Sequence, residues 1–152
     1  MRSRKSRVFI CECKKGSEPY VQELILYFCE YFERKQHLYS VFPDIAMVIE
    51  GDGCKDIKIP LKHKEDIIRY NEWRSLRKKV YAELIPYCPG DRIEGEKAGR
   101  YGVPVLMSGR RKDDIPKLVS GANGLYFDDY CEFECCLEYI NENYKLFKSA
   151  CV

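Results

Sequence analysis

Short apolar bursts alternate with amphipathic stretches along this chain, and that alternation leaves few folds open. The bursts are RVFIC at 7–11, IAMVI at 45–49, AELIPY at 82–87, VPVLM at 103–107 and GLYF at 124–127. Each is bounded by glycine, proline or polar residues, as a strand buried on both faces is. Between the first two bursts, Val21, Leu24, Ile25, Phe28 and Phe32 fall on one face of a helix. After the last burst, Phe133, Cys136, Leu137, Ile140, Tyr144 and Phe147 form the clearest helical stripe, with Asp128 or Asp129 placed to cap it. Strands alternating with helices predict an α/β fold: one Rossmann-like, three-layer α/β/α domain over residues 7–152, with a mainly parallel sheet and right-handed crossovers.

Other segments carry weaker signals. Ser17 is placed to cap the first helix, and Pro19 suits its first turn. KDIKIPL at 55–61 reads as a short strand that Pro60 confines to an edge. Residues 64–79 read as a helix, with Ile67, Tyr70, Trp73, Leu76 and Val80 on one side and Trp73 in the core. A short helix is expected at 93–101 and a helical turn around Pro116.

Charge and cysteine usage narrow the function classes. The chain has 152 residues with 26 basic and 24 acidic side chains, a net charge of +2. So even a balance points to no nucleic-acid partner. Only the segment at 1–6 is locally basic, and it reads as a solvated arm. No run is long enough for a transmembrane helix, and VFIC is too short for the apolar part of a secretory signal. Nine cysteines without such a signal read as reduced thiols in a cytoplasmic protein. Cys11 and Cys13 are expected on opposite faces of a strand, and Cys131 and Cys135 on one face of a helix. His37 and His63, both expected at the surface, lack ligand spacing, so no metal site is expected. No P-loop or dinucleotide fingerprint calls for a cofactor.

On a doubly wound sheet, ligands bind at the C-terminal ends of the strands. The loops to search are therefore 12–19, 50–55, 87–96, 108–114 and 127–129. Lys14, Lys15 and Gly16 follow the first strand and precede a helix, a setting that suits a phosphate. Gly51, Asp52 and Gly53 make a turn after the second strand. Gly90, Arg92, Glu94, Gly95 and Glu96 follow the third burst, AELIPY. There the glycines let backbone N–H groups approach a ligand, and Arg92 can fork onto a phosphate. Glu94 and Glu96 are two apart and cannot share a helix face, so at most one points into a cleft. A carboxylate there could accept from ribose hydroxyls, or attack an anomeric carbon.

Several of these pieces occur in a familiar order. KKG after the first strand, PDIAMVIEGDG at 43–53, YAELIPY at 81–87, EKAGRYGVPVL at 96–106 and IPKLVSGANGLYFDD at 115–129 resemble the C-terminal, donor-binding half of GT-B glycosyltransferases. That resemblance implies a nucleotide-activated sugar as ligand. Lys15 would touch its diphosphate, Gly51, Asp52 and Gly53 would shape the nucleotide side, and Glu96 would lie near the carboxylate that holds the ribose. It also implies an acceptor-binding second domain, which a partner subunit or a second copy of the chain would supply. A second, weaker resemblance is to nucleoside deoxyribosyltransferases and nucleotide N-glycosidases. It rests on IEGEKAGRYGVPVL at 93–106 and would make Glu94 the catalytic nucleophile. A non-catalytic nucleotide-binding module is the third expectation.

Overall fold

The computed structural model describes residues 7–35, 44–69, 80–88, 101–109 and 123–151. Its centre is a six-stranded sheet, all parallel. The strands are β1 (Arg7–Glu12), β2 (Ile45–Glu50), β3 (Ile67–Arg69), β4 (Val80–Ile85), β5 (Val105–Ser108) and β6 (Gly124–Phe127). They lie in the order β3-β2-β1-β4-β5-β6. The chain therefore runs outward from β1 to β3, then returns to lay β4 against the other side of β1. That reversal makes the tips of β1 and β4 the topological switch point, the place where doubly wound sheets bind ligands.

Helix α1 (Glu18–Lys35) follows β1, and α2 (Tyr130–Glu142) follows β6. Both pack on the same face of the sheet. Phe28 of α1 meets Phe9 of β1 at 5.8 Å and Phe133 of α2 at 5.2 Å between ring centres, both edge to face. The period of two along β1 sorts its side chains. Phe9, Cys11 and the next residue in that alternation, Cys13, join this helix-covered core, while Val8 and Ile10 cluster with Val48 on the other face. Cys11 and Cys13 thus share a side, contrary to the expectation of opposite faces. Positions two apart on extended backbone point the same way. No disulfide joins the described cysteines.

Asp129 caps α2 by accepting the Glu132 N–H at 2.8 Å. The long C-terminal stripe breaks at Asn143, and the chain resumes as α3 (Tyr144–Ser149). The break lets Tyr144 lie flat on Tyr81, with ring centres 4.0 Å apart, and its hydroxyl donates to the Tyr81 carbonyl at 2.7 Å. Lys148 reaches the Gly102 carbonyl at 2.6 Å.

At three places the structure corrects the sequence reading. Residues 64–79 are expected as a helix, yet Ile67–Arg69 is strand β3 and Val80 opens β4. Pairing of Ile67 with Met47 of β2 outweighs the local helical period. The segment at 55–61 is no strand either; it passes from a 3₁₀ turn at Cys54–Asp56 to a second at Leu61–His63. The side-chain amide of Gln22 takes the place of a strand neighbour there, accepting the Lys58 N–H at 3.0 Å and donating to the Lys58 carbonyl at 2.7 Å. Finally, Ser17 does stand at the N-cap of α1, its carbonyl accepting the Val21 N–H at 3.0 Å, but its hydroxyl donates backward to the Lys14 carbonyl at 2.7 Å and so braces the loop before the helix. The expected arm at 1–6, the helix at 93–101 up to residue 100, the turn at 113–119, and His37, Tyr70, Trp73 and Leu76 lie outside the described residues. So do the segments expected to supply the sheet's second helical layer.

Candidate functional site

The tips of β1 and β2 are built as one unit around Cys13. Its N–H donates to the Glu50 carbonyl at 2.6 Å, and its carbonyl accepts the Gly53 N–H at 3.0 Å. Gly51 makes this approach possible. Its φ is +113°, and a Cβ there would stand 2.5 Å from the Cys13 carbonyl oxygen. Only glycine satisfies both conditions. The turn at Gly51, Asp52 and Gly53 thus lies directly against the loop at Lys14, Lys15 and Gly16, and the structure brings these expected site residues together.

The electrostatics of that junction differ from an open phosphate cradle. The Lys15 N–H donates to Asp52 Oδ1 at 3.2 Å, and the Gly16 N–H donates to Glu18 Oε1 at 2.7 Å. Two carboxylates of the chain itself therefore occupy the loop amides that precede α1, where the helix dipole favours negative charge. An anion at this loop would meet lysine side chains rather than these amides. Lys14 Nζ lies 3.5 Å from Glu12 Oε1 across a partly exposed surface, and Lys15 is exposed.

Around the strand tips stand groups that the sequence reading did not select. Glu12 and Glu50 end β1 and β2 and are partners in register. Glu50 Oε1 accepts the Tyr101 hydroxyl at 3.0 Å. Tyr20, in the first turn of α1, meets Tyr87 beyond β4 at 4.8 Å, edge to face, and so spans the β1/β4 switch point. A signal was present for the two glutamates: each is the first charged residue after an apolar burst, which on a parallel strand marks the tip. Nothing local flags the tyrosines, whose pairing depends on the strand order. Of the other expected site residues, Gly90, Arg92, Glu94 and Glu96 lie outside the described residues.

A second constellation sits away from the strand tips. His63, expected at the surface, is buried. Its Nδ1 faces Asp66 Oδ2 at 3.2 Å, its Nε2 faces Glu33 Oε1 at 3.5 Å, and its ring stacks on Phe32 at 5.8 Å. Apolar packing of the ring and two carboxylate neighbours explain why it goes inside. It borders a shallow cavity of about 660 Å³ that Cys29, Glu33 and Lys62 also line. A cysteine sharing a cavity with a histidine suggests a nucleophilic pair. The chemistry argues against it: burial, then the charges of Glu33 and Asp66, push the Cys29 thiol up to about 11. It is a protonated core thiol at neutral pH.

Among the described residues no cluster of three or more His, Cys, Asp or Glu side chains could hold a metal ion. No helix among them is long and apolar enough to cross a membrane. In comparisons with known proteins, no family model matches the chain and no curated protein matches it, so its fold rests on the strand order and its site on the geometry just described.

Proposed function

We propose that this chain binds a nucleotide-activated sugar at the switch point between β1 and β4, as the donor-binding half of a GT-B-like glycosyltransferase. The observation that carries this reading is the interlocked rim, where the loop bearing Lys14 and Lys15 lies against the turn bearing Asp52, beside the β1/β4 switch point of a parallel sheet. Lys15 would act as a mobile point charge on the diphosphate rather than through loop amides, since those amides already face Asp52 and Glu18. Glu50, at the tip of β2, would be a further carboxylate able to accept ribose hydroxyls. Arg92 would stabilise the departing diphosphate, and Glu96 would lie near the ribose. The acceptor would be presented by a partner subunit or a second copy of the chain.

A panel of UDP-, GDP- and CMP-sugars in a thermal-unfolding assay tests the proposal. A cognate ligand at one hundred times its dissociation constant stabilises the fold by about 2.7 kcal/mol, and Lys15→Ala reduces the shift. If no nucleotide sugar raises the melting temperature, the proposal fails. Release of free base from deoxynucleosides, abolished by Glu94→Gln, would point instead to N-glycosidase chemistry.

A further inference from the structure

The outer face of α2 carries two thiols that the core does not use. Cys131 and Cys135 are both exposed, while Cys136 between the faces turns inward and donates to the Tyr126 carbonyl at 3.4 Å. Burial first, then Glu132 and Cys135, push the Cys136 thiol up to about 11, so it stays protonated and engaged with the sheet. Cys11, Cys13, Cys29 and Cys88 are buried, and Cys151 is half-buried and directed at the Phe147 carbonyl at 3.0 Å.

Cys131 and Cys135 stand one helical turn apart. Residues at that spacing are neighbours on a helix surface, with about 5–6 Å between their Cβ atoms. This exceeds the mean Cβ separation of a disulfide, about 3.8 Å. Closing a disulfide between them would require the helix to deform. An atom inserted between the two sulfurs spans the gap without deformation. The regular helix holds the pair in place: Asp129 caps its start, and Phe133, Leu137 and Ile140 anchor its opposite face in the core.

From this geometry we infer that Cys131 and Cys135 form a two-thiol clamp for a soft thiophilic acceptor of the trivalent-arsenical class. With phenylarsine oxide the reaction is a condensation. Two arsenic–sulfur bonds form and the arsenic–oxygen bond breaks. The oxygen leaves as water with the two thiol protons, and no atom changes oxidation state. Chelation by two thiols resists exchange with a single thiol but not with a competing dithiol. The clamp is independent of the strand-tip site, so neither result bears on the other.

Mass spectrometry of the native, reduced protein after phenylarsine oxide treatment tests the clamp. The expected result is one adduct that survives excess 2-mercaptoethanol and is stripped by 1,2-ethanedithiol. Cys131→Ser and Cys135→Ser each lose that resistant adduct, and Cys136→Ser keeps it. Adding Tyr139→Cys to Cys131→Ser re-creates the one-turn spacing with Cys135 at another exposed position and restores it. Absence of the adduct from the wild type, its persistence in either single serine variant, or failure of the displaced pair to restore it overturns the inference.

Discussion

The strand-tip rim and the His63 cluster hold their shapes by opposite means. At the rim, backbone does the holding: the peptide groups of Cys13 bond to the β2 side, and Gly51 has no side chain to obstruct them. At the cluster, side chains do it: an imidazole stacked on Phe32 lies between Asp66 and Glu33, with Lys62 on the same Glu33 oxygen at 3.1 Å. A backbone-built region tolerates exchange of its exposed side chains but no added atom at its glycines. A side-chain-built region has the reverse sensitivities, and its polar part responds to pH.

The largest expected effect is on the packed side of the cluster. Phe32 is fully buried beneath His63 and in the main core. Phe32→Ala should cost about 3–5 kcal/mol of stability in a urea titration. A loss below about 1 kcal/mol would show that the cluster is not anchored in the core. At the rim, Gly51→Ala combines a left-handed backbone with a clash against the Cys13 carbonyl. It should cost about 1–3 kcal/mol, although the residue itself is exposed. An Asp52→Ala control, which removes only an exposed side-chain acceptor, should change stability much less. Equal effects would break the distinction between the two regions.

The smallest effect concerns Glu33. Its carboxyl is held below the usual range first by the hydrogen bond from Lys62 and then by that from His63. A lowered folded-state value means stabilisation that is present above the ordinary carboxylate range and lost as pH falls through the folded value. Because Glu33 is about half exposed, solvent screens the interaction. Glu33→Gln should therefore cost under about 1 kcal/mol at neutral pH, and the difference from wild type should vanish in acid. A cost that instead grows as pH falls would contradict this arrangement.

How legible these regions were depends on where their information resides. The tip of β2 was readable because apolar strand and glycine turn adjoin in sequence, as IAMVIEGDG. GLYF was readable to its ends, and Gly124 has a reason: a Cβ there would collide with the Val105 carbonyl of β5. The three-residue β3 was not readable. Ile67 and Ile68 fit a helical period as well as a strand, and only β2 decides between them. The burial of His63 was equally hidden, since Phe32 and Glu33 come from a helix some thirty residues earlier. Contacts closed by one turn or one period leave a trace in the chain, whereas contacts closed by strand order do not. For the same reason Glu12 and Glu50 could be found as strand ends, but the Tyr20–Tyr87 pair could not.

The Tyr144 stack on Tyr81 bears on the order of events during folding. The donor and acceptor of its hydrogen bond are 63 positions apart, and contacts of such long range close slowly. During synthesis from the amino end, the carbonyl at the start of β4 has no Tyr144 hydroxyl to bond until 63 further residues have been made. The first half of the sheet can assemble early around β1, but sealing its base is a late step.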